Sequence, residues 1–489
     1  MELLQLVSTG APAVLMIMPS SIMFKRIMLF LNRIDELTRL DRLARSSEGG
    51  LAVIFGRRRV GKTRLLLEWT RRHRGLYFVA DQSSASLQRR YLAQAISHRL
   101  PGFGEVEYPD WRALFTRLAS EAKSREFRGP FVIDELPYLI LSSPELPSVL
   151  QQWIDHDARQ ARLTVALAGS SQRMMQGLVL DASAPLFGRA REVLEVKPLD
   201  PRWLPHAFKG LHGAELLSTW TAWGGVPRYW ELAQAARGKL ERRIDSLVLD
   251  PMGPLHHEPD RLLLEETPSA VELRPLLDAI GAGIHRASEI AARAGRPVTS
   301  LARPLDRLIE LGLVRREVPF GEEPRQTKKS LYRLSDPFFR LWFRVVAPQR
   351  GFLAVASPKQ RRELLAANFP ALLGSAFEEL CLGQASTLGD WLPAARWWQG
   401  SEPEWDVVST SADGKRLLLG EAKAWRKAAT LEALRAEARR LRARALPRFS
   451  KVHLAPQITW MLFVPALAPR VPREIEGVQI VTLEALLRP

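Results

Sequence analysis

Apolar residues in this chain fall into two rhythms. Unbroken runs come first: "LAVIF" (Leu51–Phe55), the core of "GPFVIDELPYL" (Gly129–Leu139) and "LTVALAGSS" (Leu163–Ser171). Continuous apolar stretches of this length predict strands buried on both faces, as in a parallel sheet. Helical spacing follows the first run in "RLLLEWTRRH", so the opening part reads as α/β, a parallel sheet flanked by helices. Near residue 250 the pattern changes to "LVLDPMGPLHHEPD", rich in proline and histidine, which predicts a connection. His256 and His257 lack ligand partners at suitable spacing and read as part of a solvated loop.

Three short helical patterns come next, "AVELRPLLDAIG", "RASEIAARAG" and "VTSLARPLDRLIELG". "LVRREVPF", a polar turn and "SLYRLSD" then predict a β-hairpin, and three helices with a hairpin make a winged helix. In the last 120 or so residues, "LLGSAFEELCLGQAS" reads as an amphipathic helix with Glu378 and Glu379 near its start. "EPEWDVVST" and "RLLLGEAKAW" read as strands around the Asp-Gly turn of "SADGK", and "ITWMLFVP" and "VQIVTLEAL" complete a small α/β unit.

Composition narrows the partners. Seventy Lys and Arg against fifty-three Asp and Glu give a formal charge of +17, which favours a polyanion where the excess clusters. The single cysteine, Cys381, excludes an intramolecular disulfide framework and a cysteine zinc site and points to a reducing, cytoplasmic compartment. "APAVLMIMPSSIM" is too short to span a membrane and lacks the flanks of a signal peptide. Residues 1–27 are expected to be an ill-packed extension, with the true start at a later methionine, and no membrane partner is expected.

Chemistry concentrates first at Gly56–Thr63, "GRRRVGKT", between the first strand and its helix. In this order the glycines let backbone N–H groups cradle phosphates, and the helix N-terminus adds a favourable dipole. Lys62 would reach the β- and γ-phosphates of ATP and Thr63 would ligate Mg²⁺, with Gly56, Arg57, Arg58, Arg59, Val60, Gly61 and Arg64 completing the cradle. The second strand ends in Asp134, placed to hold Mg²⁺ through water, and Glu135, placed to polarise an attacking water. Ser170 or Ser171, at the end of the third, stands where a γ-phosphate would be sensed.

Together with "FLNRIDELTRLDRL" (Phe30–Leu43), "LAGSSQRMM", "PLFGRARE" and "WGGVPRYWEL", these motifs resemble the bacterial and archaeal P-loop ATPases of the AAA+/STAND group. In that group a winged helix and a C-terminal domain of unknown function follow the ATP module. The resemblance implies that Arg189 is the arginine placed to meet a phosphate, in its own subunit or a neighbour's, and that Pro227 belongs to a Gly-x-Pro element near the nucleotide. It implies a division into 28–200 (ATPase core), 201–265 (helical lid), 266–348 (winged helix) and 349–489.

A second chemistry is expected in the C-terminal unit. Asp406 and Glu421 fall on neighbouring strands, and a period of two puts Lys423 on the face of Glu421. Two carboxylates on Mg²⁺ and a lysine beside them suit phosphodiester cleavage. The arrangement resembles the PD-(D/E)xK, restriction-endonuclease-like superfamily, with Glu378 as the helix acid, although Trp405 stands where a proline is usual. The run Arg426–Arg448 holds eight basic residues against Glu432 and Glu437 and suits a DNA backbone. Arg303 and Arg307, with Arg315, Arg316, Arg325, Lys328, Lys329 and Arg333 of the wing, form a further phosphate-contact surface. Two functions follow. One is a Mg²⁺-dependent ATPase coupled to binding, and to metal-dependent cleavage, of double-stranded DNA, with a homo-oligomer open. The other is a STAND-type switch whose C-terminal domain only binds a partner.

Overall fold

The computed structural model describes residues 31–488 apart from 180, 183, 267–269, 324–326, 328, 401 and 450–456. The expected 1–27 extension, Phe30 of the opening motif, Arg325 and Lys328 lie outside the described residues. The three apolar runs form strands, as their burial requires: β1 (Gly50–Phe55), β3 (Pro130–Asp134) and β4 (Thr164–Gly169). With β2 (Leu76–Val79) and β5 (Ala190–Glu195) they make a five-stranded sheet of order β2-β3-β4-β1-β5, every pairing parallel. Parallel strands aligned in this way bring the ends of β1, β3 and β4 to one edge, where the candidate ATP residues lie. Helix α1 (Lys62–Arg72) leaves that edge and buries Leu65, Leu66 and Trp69 on the sheet.

Beyond the sheet, the segment around residue 250 leads into α2 (Glu258–Glu266). There the expectation of a solvated loop fails at His256, which is buried with Nδ1 2.9 Å from the Val248 carbonyl. Helices α3 (Ala270–Gly281), α4 (Ala287–Ala294) and α5 (Ala302–Glu310) follow, then an antiparallel hairpin of β6 (Val314–Glu317) and β7 (Leu331–Leu334). The chain leaves this unit through the short helix α6 (Pro337–Leu341).

The C-terminal part is a six-stranded mixed sheet of order β12-β13-β11-β10-β9-β8. Its strands are β8 (Ala395–Trp397), β9 (Trp405–Thr410), β10 (Arg416–Ala422), β11 (Gln457–Val464), β12 (Glu474–Ile475) and β13 (Val478–Thr482). Alternation divides its faces. Val407, Leu418, Met461 and Phe463 pack in one cluster with α7 (Pro358–Gln384), while Val408, Leu417, Leu419 and Leu462 pack in another with α8 (Leu431–Ala443). Glu378 and Glu379 sit in the last third of α7 rather than near a helix start. The helix begins twenty residues earlier, at a Ser357–Gln360 capping box, and runs through Pro370.

The cluster against α7 is continuous with the rest of the C-terminal half. It contains Leu216 and Trp220 of the Gly213–Trp223 helix, Leu276 of α3, Trp342, and Leu365, Leu373 and Phe377 of α7. A charged network reinforces the junction. Arg315 of β6 bonds Glu317 at 2.7 Å and Glu379, Arg340 of α6 also bonds Glu379, and Arg396 of β8 holds Glu378 at 2.7 Å. Arg333 reaches Glu317 at 3.0 Å. The expected phosphate-contact surface on the wing is therefore partly turned inward. Arg315 and Arg333 serve this network, and Arg307 bonds Glu310 and the Glu266 carbonyl. Lys329 pairs with Glu322, while Arg303 and Arg316 are exposed. Among the described residues no helix is long and apolar enough to cross a membrane.

Candidate functional site

The loop after β1 has the backbone that its glycines make possible. Gly56 has φ +149°, and a Cβ there would stand 2.3 Å from the Val196 carbonyl oxygen, so only glycine fits. Arg33 of the opening motif supports the loop from behind, donating to the Val60 and Lys197 carbonyls at 2.7 Å each. Lys62 is buried, and its ammonium donates to the Gly56 and Arg57 carbonyls at 2.6 and 3.2 Å. Burial lowers its pKa, and Glu135 and Asp134 oppose that shift.

Opposite the loop, Thr63 donates to Asp134 Oδ2 at 2.8 Å, and Tyr77 of β2 donates to the same oxygen at 2.8 Å. Asp134 is fully buried, and burial raises its carboxyl above the usual range against these two bonds. The next residue, Glu135, has left-handed backbone (φ 54°), a conformation costly outside glycine and common at working sites. Its carboxylate accepts from the Ser170 hydroxyl at 2.8 Å and the Ser170 N–H at 3.3 Å. Pro227 covers the second loop glycine, 3.8 Å from where a Gly61 Cβ would stand. One sheet edge thus gathers Gly56, Gly61, Lys62, Thr63, Asp134, Glu135, Ser170 and Pro227. An adjoining hydroxyl and buried carboxylate suit a hard divalent cation, so Thr63 and Asp134 fit Mg²⁺.

The other loop residues point toward the C-terminal half. Arg57 makes a 2.6 Å bond to Asp336, the N-cap of α6, with its guanidinium 4.8 Å from the Phe339 ring. Gly224 makes this contact possible, because a Cβ there would lie 2.5 Å from an Asp336 oxygen. Arg58 reaches Tyr138 at 2.8 Å and Glu265 at 3.0 Å, Arg59 pairs with Glu258, and Arg64 is 3.3 Å from Glu231. Asp336, Tyr77 and the acids of α2 were not singled out from the sequence. Tyr77 alone left a trace there, as a polar tip inside an otherwise apolar strand.

Arg189 does not join the site. It precedes β5, whose Ala190 pairs with Leu51 at the start of β1, roughly 15 Å of strand away from the loop. Its guanidinium is held by Asp155 at 2.8–3.0 Å. Of the two expectations for Arg189, its own subunit's phosphate or a neighbour's, this placement leaves the first out of reach within one chain. It lines a cavity of about 420 Å³ with Arg159, Arg162 and Arg191 at the opposite edge of the sheet.

The C-terminal acids are brought near one another but not into a metal centre. Asp406 accepts from the Ala422 N–H at 2.9 Å, and burial, then Glu421, then Glu378 raise it to about 7. Both Glu421 oxygens are occupied, by Lys423 at 2.9 Å and Arg444 at 2.6 Å. Burial would raise Glu421, but these two cations hold it below the usual range. Arg444 also stacks 4.9 Å from the Trp405 ring, the residue that replaced the expected proline, and Arg396 neutralises Glu378. Among the described residues no group of three or more His, Cys, Asp or Glu is placed to hold a metal. As the side chains stand, Arg396 occupies Glu378, and Lys423 and Arg444 occupy Glu421, whereas Asp406 is held by the Ala422 N–H.

Residues 30–232 match a family model described as an ATPase domain predominantly from Archaea. Residues 342–439 match another, described as archaeal and bacterial proteins of unknown function. An uncharacterised protein of Methanocaldococcus jannaschii is 28% identical over 406 residues, covering 81% of this chain and 87% of its own. Among solved structures, a Walker-type ATPase of Pyrococcus abyssi is 18% identical and covers 64% of this chain and 96% of its own, with a TM-score of 0.50. The ORC2 protein of Aeropyrum pernix, solved in ADPNP–ADP complexes, is 15% identical and covers 71% and 97%, with a TM-score of 0.41.

Proposed function

We propose, from the premise that this chain carries a P-loop ATPase domain, that it binds and hydrolyses Mg·ATP as a switch whose C-terminal half engages double-stranded DNA. The observation that carries the ATP site is the contact of Thr63 with Asp134, with Glu135 held beside them by Ser170. Lys62 exchanges its loop carbonyls for the β- and γ-phosphates. Thr63 and Asp134 would hold Mg²⁺, which when bound would offset phosphate charge. Glu135, released from Ser170, orients the attacking water and takes its proton, while the freed Ser170 hydroxyl senses the γ-phosphate. Arg189, at the far edge, is available only to a neighbouring subunit, so a contribution from it requires a homo-oligomer.

DNA engagement rests on exposed arginines. Arg286, Arg293 and Arg303 are exposed on or beside α4 and α5, the helices of the unit that we read as a winged helix. Arg435 and Arg440 are exposed on α8 of the nuclease-like unit. The occupied Glu421 favours binding over cutting at that unit. Lys62→Ala is expected to abolish Mg·ATP binding, and retained binding would overturn the ATP site. In the same preparations supercoiled DNA should stay intact with Mg²⁺ and ATP. Nicking that Asp406→Ala with Glu421→Ala removes would restore the nuclease reading.

A further inference from the structure

The cations of the phosphate loop are already answered by carboxylates from much later in the chain. Asp336 takes Arg57, and Glu258 and Glu265 of α2 take Arg59 and Arg58. The last residue of α2, Glu266, differs from these. Both its carboxylate oxygens are shut off from solvent and have no hydrogen-bond partner. Burial raises its carboxyl to about 7, against the pull of Lys62 foremost, then Arg58, Arg57 and Arg307. Lys62 in turn senses Glu266 after Glu135 and Asp134. A buried carboxylate without hydrogen bonds is costly unless nearby cations hold it. Here the cations that offset part of that cost are chiefly the lysine and arginines of a loop shaped for phosphate.

We propose that the last turn of α2 is a built-in surrogate for phosphate: Glu266, with Glu265 beside it, competes with a nucleotide's phosphates for the field of Lys62, Arg57 and Arg58. This rests on the ATP-site reading and adds a regulatory contact to it. A carboxylate resembles a phosphate edge in charge and in its paired oxygens, so the two are alternative occupants of one field.

Burial separates the anchor from the exchangeable part. The side chains of Arg57 and Asp336 are 7% and 5% exposed, and Asp336 also caps α6 by accepting from the Phe338 N–H at 2.9 Å. That pair stays. Arg58 and Glu265 are 31% and 41% exposed, a wet pair of small worth, and Glu266 has no hydrogen bond to lose. The turn is also tied to α5, because Arg307 donates to the Glu266 carbonyl at 3.4 Å. Exchange of Glu266 for phosphate is therefore felt at the helix that we read as DNA-facing.

The test is calorimetric titration of the full chain at about pH 8, where Glu266 is ionised, with magnesium and a non-hydrolysable ATP analogue. Glu266→Gln keeps the shape and removes the charge, and is expected to tighten binding on the order of fivefold, as loss of a like charge near phosphate should. Glu272→Gln, an exposed acid on α3, serves as the control. Unchanged or weaker binding by a folded Glu266→Gln protein would overturn the surrogate, since a merely structural acid is not removed at a gain. Should the variant fail to fold, hydrogen exchange in the unaltered protein decides. Faster exchange over residues 258–266 with the analogue supports displacement, and slower exchange refutes it. Failure of the unaltered chain to bind the analogue at all would instead count against the ATP site itself.

Discussion

At the scale of single residues, the contact between Arg57 and Asp336 sets the position of the phosphate loop. The two are 279 residues apart in sequence and nearly dry. Removing one partner of such a pair leaves a buried charge uncompensated, at a cost of about 3 kcal/mol or more, whereas replacing both with apolar groups costs much less. Asp336→Asn keeps the acceptor that caps α6, so the expected loss is chiefly electrostatic. It should lower stability by about 3 kcal/mol and weaken ATP binding. Adding Arg57→Met should recover most of the stability but not the affinity. Chemical denaturation and nucleotide titration of the single and double variants check both outcomes, and strict additivity would deny that the residues act as a pair.

At the scale of elements, the β9–β10 hairpin carries its own titration. Asp406 is raised to about 7, against about 3.9 in an unfolded chain. Between those values the folded protein holds more protons than the unfolded one, so stability from this group falls as pH rises toward and through about 7. Asp406→Asn should therefore stabilise the protein by about 2 kcal/mol near pH ~8 and by nothing near pH ~4. Thermal unfolding across that range reads it directly, and an equal gain at both ends would contradict the shift. The elements themselves were legible because their signals are local. Apolar runs gave β1, β3 and β4, glycine spacing gave the loop, and the Asp-Gly turn gave this hairpin. Their partners were not. Nothing near Asp336, Glu266 or Arg444 in sequence marks a contact with a loop or strand that chain folding brings from elsewhere. The start of α7 was missed because Pro370 interrupts the helical pattern that the capping box had opened. The edge at which Arg189 lies was not legible either, because its motif shows which strand it precedes but not at which edge the strand begins.

At the scale of the whole molecule, apolar packing divides the chain differently from its motifs. The parallel sheet has clusters of its own on its two faces, whereas one cluster runs from Leu199 to Leu487 through the helical segment, the three-helix unit and α7. A cut at residue 348 would strip Leu365, Leu373 and Phe377 from Leu216, Trp220 and Trp342. The fragment ending there is expected to aggregate or to bind a hydrophobic dye, and a monomeric fragment with a sharp melting transition would show that the shared core is dispensable. Within that body, α6 acts as a ruler. Asp336 grips the phosphate loop at one end, and four residues on Arg340 grips Glu379 of the long helix. Four is the step that returns a helix to the same side. One residue added between them would swing the second grip by about 100° and carry it about 1.5 Å along the axis. The spacing of this short turn is thus fixed by what it joins at its two ends, and its length can drift only if loop and long helix are re-cut together.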